Sequence, residues 1–227
     1  KVTDEYLKKA YLPGVKRLGI GNVGVFKLRL NDSDTLQKTY VLTPFKSLEQ
    51  LFEFEDRLNN DKDYLANGSD YLNALYNQPP YRKIESTLMR AFQDFPVMKP
   101  SKLNNSRSER IYELRSYVSP TEGYYKNKVE MFNEGGEIKL FDRLDFNSVF
   151  YGEVLSGSEM PNLMYLTTFS DQVSRDNHWS AFVDSPEWKE LIAMPKYKNN
   201  VSKYDLIFLL NNIKPQGFSL DNNNFSF

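Results

Sequence analysis

The chain has no cysteine among its 227 residues. That absence excludes disulfides, thiolate metal sites and cysteine nucleophiles. It leaves the redox compartment open, because a cysteine-free chain tolerates either state. Histidine occurs once, and a common zinc site takes three or four protein ligands, so no metal centre is expected. A carboxylate-only calcium or magnesium loop has a required ligand spacing that no segment shows. No run of 18 apolar residues is present, so no segment reads as a membrane span. Excess charge is also missing: 29 Lys and Arg stand against 30 Asp and Glu, for a net charge of -1. Nothing basic is left over to attract a phosphate backbone, and nucleic acid is not an expected partner.

Aromatic residues, in contrast, are abundant. They make up 15% of the chain, with 15 Tyr and 16 Phe, enough to line cores, interfaces or a pocket. With 40% hydrophobic residues, the length fits one large domain or two of about 100 residues.

The chain repeats itself. Leu42-Thr43-Pro44-Phe45 matches Leu166-Thr167-Thr168-Phe169 at an offset of 166 − 42 = 124, which also pairs Leu58 with Phe182 and Tyr64 with Trp188. In both copies a β-prone run, Lys38 to Phe45 and Leu163 to Phe169, leads straight into a helical pattern. Ser47-x-x-Gln50 reads as a capping box at that junction. Upstream, Tyr11, Val15 and Leu18 fall on one helical face, and Gly19 and Gly21 end the helix. Asn22 to Leu30 then reads as a strand. In the second copy Ser119-Pro120-Thr121-Glu122 reads as a capping box with proline at the first helical position. One long stripe follows from Tyr125 to Leu144, with Gly135-Gly136 inside it. Strands are expected at Glu109 to Val118, Asn147 to Val154 and Tyr204 to Leu210, and a closing strand of the first copy at Ile84 to Phe92.

These elements give the order β-α-β-β-α-β of a ferredoxin-like unit in the second copy. The first copy has the same order without the opening strand. The expected domains are residues 1–95 for the first repeat, a linker at 96–108, 109–214 for the second repeat and a frayed tail at 215–227. Ala66 to Pro80 is an insertion whose Tyr71, Leu72, Leu75 and Tyr76 imply a short packed helix. No signal-peptide pattern is visible. Residues 1–12 already read as helix, so an upstream segment is expected to have been cleaved or omitted.

The second half resembles the NIPSNAP family. Tyr112-Glu113-Leu114-Arg115-Ser116-Tyr117 resembles the family's opening strand and Asn162-Leu163-Met164-Tyr165 its third strand. Arg175-Asp176-x-x-Trp179-x-x-Phe182 and Ser185-Pro186-Glu187-Trp188-Lys189 resemble its second helix and the segment after it. The resemblance implies a dimeric α/β barrel, in which two antiparallel four-stranded sheets close on each other. Copy one can supply the second sheet within the chain, or a homodimer can. Bacterial two-copy members of this kind are often exported, and an exported or periplasmic location is expected over a cytoplasmic one. The family brings no settled biochemical activity.

A ferredoxin-like sheet carries helices on one face. On the strand from Glu109 to Val118, Tyr112, Leu114 and Val118 suit the helices. Ile111, Glu113, Arg115 and Tyr117 are then expected on the other face, inside a barrel. There Glu113 and Arg115 read as a structural ion pair, or as a polar handle for a small ligand. His178 reads as a packing residue, because the repeat puts Phe54 at its place, or as a base gained in copy two with Arg175 and Asp176 nearby. Gly19-x-Gly21-x-x-Gly24 matches a dinucleotide fingerprint by letter, but it lies between helix and strand, the reverse of the needed order. Trp179 and Trp188 read as packing anchors. No cofactor motif, Ser-His-Asp set or P-loop is present, and no cofactor is expected.

Two functions follow. The first is a non-catalytic binding or interaction module whose barrel interior holds a small ligand. The second is an enzyme, since small α/β barrels of this shape include cofactor-free oxygenases and haem-handling proteins. For the second, His178, Glu113, Arg115, Tyr117 and Tyr165 are the catalytic and ligand candidates.

Overall fold

Capped, apolar-periodic runs form the helices, and the β-branched and aromatic runs between them form antiparallel strands. The structure, a computed structural model, describes residues 2–29 and 37–211. The expected tail at 215–227 lies outside them, as do Lys1 and Leu30. The described residues divide into two units, one of residues 2–27, 38–84 and 211, the other of 28–29, 37 and 85–210.

The first unit opens with α1 (Val2–Tyr6), a π-helical turn (Leu7–Tyr11) and α2 (Leu12–Arg17). Leu7, Leu12, Val15, Ile20, Val23 and Val25 form its core. Gly19, at φ +76°, ends the helix as expected. Strands β1 (Gly24–Leu28) and β2 (Thr39–Leu42) pair antiparallel, with Gly24 opposite Leu42. Helix α3 (Leu48–Asn59) follows; the Gln50 amide donates to Ser47 Oγ at 3.3 Å, and the Lys46 amide to Gln50 Oε1 at 2.7 Å. Helix α4 (Lys62–Leu72) is capped by Asp61. It packs on the first helices through Tyr71, whose ring stacks on Tyr6 at 4.0 Å. The expected packing of the insertion holds for Tyr71 but not beyond: the helix stops at Leu72, and Leu75 and Tyr76 are exposed. Asn73, Asn77, Pro79 and Pro80 favour turns over helix there.

The second unit holds the complete order: β4 (Ile111–Val118), α5 (Glu122–Phe132), α6 (Glu137–Arg143), β5 (Ser148–Ser156), β6 (Asn162–Phe169), α7 (Gln172–Asp184), α8 (Pro186–Ala193), a 3-10 turn (Pro195–Tyr197) and β7 (Lys203–Leu210). Its antiparallel pairs, β7 with β4, β4 with β6 and β6 with β5, put the strands in ferredoxin-like spatial order. A fifth strand, β3 (Leu88–Ala91), which closes the first repeat, pairs antiparallel with β5. The second unit is therefore an α+β fold on one antiparallel sheet of strand order β7-β4-β6-β5-β3.

The repeat is visible atom by atom. Asp171 caps α7 by accepting from the Ser174 amide at 2.7 Å, and Ser185 caps α8 by accepting from the Trp188 amide at 3.2 Å. Moving each back by 124 positions gives Ser47 and Asp61, the caps of α3 and α4. Two local expectations fail. The stripe from Tyr125 to Leu144 is two helices, because Gly136 takes φ +86° and starts α6 in a left-handed conformation that few other residues adopt. Helix α5 starts at Glu122 with Thr121 as cap position and no side-chain capping bond. Ser119 and Pro120 stay outside it, because the Ser119 amide donates to the Pro161 carbonyl at 3.0 Å.

Aromatic packing builds the core of the second unit. Phe141 stacks on Phe182 at 4.7 Å and meets Phe146 edge-on at 4.6 Å, with Ile111, Phe132, Tyr151, Tyr165 and Phe169 around them. Burying each such ring contributes about 1.5–3 kcal/mol.

Candidate functional site

The β4 strand and α7 converge on a buried carboxylate. Period-2 alternation puts Ile111, Glu113, Arg115 and Tyr117 on one side of β4. The helical i, i+4 spacing puts Arg175 and Trp179 on one face of α7. Glu113 has no exposed surface. Its Oε1 accepts from Arg115 Nε at 2.5 Å, and its Oε2 accepts from Arg175 Nε at 2.6 Å and from Trp179 Nε1 at 3.3 Å. The Arg115 guanidinium also lies over the Trp179 ring at 3.6 Å, a cation–π contact. Arg175 donates onward to Asp176 Oδ1 at 2.9 Å.

These contacts correct the face assignment. Glu113 and Arg115 lie under α7, on the helix side, and not on the side away from the helices. Tyr112, Leu114, Ser116 and Val118 take that opposite side. The expectation put the more apolar set toward the helices, but Tyr112, Leu114 and Ser116 are buried too. Where both faces of a strand are covered, hydrophobicity alone does not tell them apart. On that opposite side the Ser116 and Asn162 side chains bond each other, Asn162 Nδ2 donating to Ser116 Oγ at 2.9 Å.

From Arg115 a hydroxyl chain runs across the sheet. Arg115 Nη1 donates to Tyr117 Oη at 3.0 Å, and Tyr117 Oη bonds Tyr165 Oη at 2.8 Å. Burial, then the neighbouring Tyr117, push the Tyr165 hydroxyl well above its ordinary value, so it stays protonated. Beyond it lies a second buried ion pair, Lys128 Nζ to Glu137 Oε2 at 2.9 Å, with Lys128 over the Phe132 ring at 4.7 Å. Burial raises the Glu137 carboxyl above its usual range, and Lys128 opposes that shift.

Of the candidates read from sequence, Glu113, Arg115, Tyr117, Tyr165, Arg175 and Asp176 form one bonded cluster. His178 stands outside it. Its ring meets Phe146 at 5.8 Å and Phe169 at 5.5 Å, and Nδ1 lies 2.5 Å from the Ser174 carbonyl of its own helix. Sequence reasoning assigned Trp179 to packing alone and missed its bond to Glu113. The i, i+4 relation to Arg175 was the available signal. It also missed Lys128 and Glu137. They sit on different helices, nine positions apart, a spacing that carries no helical signal.

Taken together, the cluster and the second ion pair balance in charge. Arg115, Lys128 and Arg175 are three cations; Glu113, Glu137 and Asp176 are three anions. Both Glu113 oxygens accept bonds from the chain's own groups, Oε1 one and Oε2 two. Among the described residues no group of three or more His, Asp or Glu could hold a metal ion, and no helix is long and apolar enough to cross a membrane. An open depression of about 400 Å³ borders the cluster, lined by Arg175, Asp176, Trp179, Ser180, Val183 and Asp184. Another cleft, of about 350 Å³, lies between Phe95, Lys99, Ile138, Asp142 and Tyr151.

Two solved structures share the fold. One is a "putative monooxygenase" from Fusobacterium nucleatum subsp. nucleatum ATCC 25586, with a TM-score of 0.55 at 9% identity, over 96% of this chain and 87% of that one. The other is a "putative monooxygenase" from Lactobacillus acidophilus NCFM, with a TM-score of 0.56 at 11% identity, over 94% and 88%. At such identities the likeness is one of fold. No curated protein matches the chain. The NIPSNAP family model matches residues 112–211, which run from the Tyr112-Glu113-Leu114-Arg115 strand through α7 and α8 to β7. That stretch of the chain, residues 112–211, is thus similar to the NIPSNAP family.

Proposed function

We propose that this chain is a non-catalytic binding or interaction module, with the β4–α7 cluster as its internal clamp. One observation carries the reading: the Glu113 carboxylate already accepts three bonds, from Arg115, Arg175 and Trp179, inside a set of equal positive and negative charge. A catalytic acid or base needs a reacting partner within hydrogen-bond reach and an unspent lone pair or proton. Exposed Tyr204 and Leu206 on β7, in register with Tyr117 and Arg115, suit contact with another molecule better than turnover.

The second reading is a cofactor-free oxygenase-like or haem-handling enzyme. It draws on the two monooxygenase-named structures of the same fold and on the Tyr117–Tyr165 hydroxyl chain. Oxygen-electrode assays with phenolic and quinol substrates, alongside haemin titration, separate the two. The module reading expects oxygen uptake equal to the buffer's and no Soret shift. Uptake that disappears in Tyr165→Phe would overturn it in favour of the enzyme.

A further inference from the structure

We propose that the cleft walled by the segment after β3, helix α6 and strand β5 binds a small zwitterion that carries a ring, of the aromatic amino-acid class. The inference goes beyond the proposed function, because the cleft shares no lining residue with the β4–α7 cluster. The depression beside Arg175 is lined by α7 alone, whereas this cleft is built from three segments.

Local structure places the lining. The register of β5 against β6 shifts between Ser148 and Phe150. Strict alternation would put residues three apart on opposite faces; the irregularity lets Ser148 share a side with Tyr151. Their hydroxyls bond each other at 2.6 Å. On α6, Ile138 and Asp142 stand at i, i+4 and share one helix face. The third wall is pinned at both ends. The Asp94 amide donates to Asn133 Oδ1 at 3.0 Å, and the Lys99 amide to the Val149 carbonyl at 2.9 Å. A wall held this way needs little ordering when a ligand arrives.

The chemistry of the lining selects the ligand. Phe95, Ile138 and Tyr151 are buried and give an apolar floor, with the Phe95 ring edge-on to Tyr151 at 5.2 Å. Aromatic rings accept a further ring by offset or edge contact. Burial pushes the Tyr151 hydroxyl above its ordinary value, so it keeps its proton. The Ser148–Tyr151 pair therefore holds two protons and one bond, and neither hydroxyl has another partner among the described residues. One donor is left over for a carboxylate. The charged lining is mixed, Lys99 and Lys139 against Asp94 and Asp142, all four exposed. None of the four makes an ion pair among the described residues; Lys99 lies over the Phe95 ring at 4.5 Å. Equal charges of both signs give a plain anion or a plain cation no net attraction, and a zwitterion gains from both. The volume of about 350 Å³ is near the small end for ligand pockets and suits a molecule of amino-acid size.

L-Phenylalanine, titrated into the whole chain and followed by amide NMR, is the test. Saturable shifts are expected at Phe95, Ile138 and Tyr151, with a Kd below about 1 mM. 3-Phenylpropionate lacks the ammonium and phenethylamine lacks the carboxylate; each should bind about tenfold weaker or more. L-Alanine, which lacks the ring, should lose at least as much. Lys99→Met with Lys139→Met, and Asp94→Asn with Asp142→Asn, should each weaken L-phenylalanine by about tenfold or more. These side chains are exposed, and an unchanged melting temperature checks the fold. Should a double variant fail to fold, the analogues on the unaltered chain still decide. No saturable shift up to about 10 mM L-phenylalanine overturns the proposal. Equal affinity for any of the three analogues overturns it too, as does saturable binding whose shifts fall outside the cleft.

Discussion

Helices α3 and α7 occupy the same place in the two repeats, begin at equivalent caps and do different physical work. In α3 the positions Leu51, Phe54 and Leu58 form an apolar face with Glu55 exposed beside it; Leu58 is buried and Phe54 meets Phe45 at 5.1 Å. In α7 the same positions are Arg175, His178, Trp179 and Phe182. Two of them bind Glu113, while His178 meets Phe169, the counterpart of Phe45, at 5.5 Å. One scaffold thus accepts either an apolar or an ionic contact beneath its second helix. The ionic version requires a complete partner set, because a buried charge without its counter-charge costs more than the pair returns.

The largest expected effect tests that completeness. Glu113→Leu would leave Arg115 and Arg175 facing each other, and should cost about 3–5 kcal/mol in urea denaturation. Restoring an apolar contact with Arg115→Met and Arg175→Leu in the same chain should recover most of that loss. A single-variant loss below about 1 kcal/mol would mean that water already reaches the cluster.

Lys128→Met comes next, at about 3 kcal/mol, with recovery when Glu137→Met is added. This variant also has a pH signature. Burial raises the Glu137 carboxyl, and loss of Lys128 raises it further. A carboxyl whose folded value exceeds its unfolded one, about 4.3, destabilises the fold as pH rises through that window. Lys128→Met should therefore lose less stability near pH 4 than at pH 7; equal losses would count against a buried carboxylate.

A smaller effect sharpens the repeat. Asp171→Ala and Ser47→Ala remove equivalent caps and should each cost about 1 kcal/mol in thermal melts. A cost confined to one would show that the two helix starts are not equivalent. Smallest of all, His178→Phe installs the side chain that the first repeat carries at Phe54. It should change stability by less than about 1 kcal/mol, since it conserves an aromatic contact. A marked fall in melting temperature would assign His178 a role beyond packing.

Much of this was legible in the residues. The 124-residue offset, the caps at Ser47 and the β-prone runs before α3 and α7 are local patterns, and each became the expected element. Most of the candidate cluster could be named as well, because Glu113-x-Arg115 is charged inside a largely apolar strand and Arg175 stands where the first repeat has Leu51. The break at Gly136 was not legible, since a glycine inside an apolar stripe fits a kinked helix as well as two helices. Arg115 could be named as a partner of Glu113, but Arg175, 62 positions away, could not.

By itself the sequence determined the order of strands and helices and the alternation along β4, because capping, periodicity and turn chemistry act over a few residues. Only the tertiary structure decided which side of β4 the helices cover, and hence that Glu113 meets α7. Alternation sets two faces apart without saying which is which, and when both are buried only the packed neighbours choose between them.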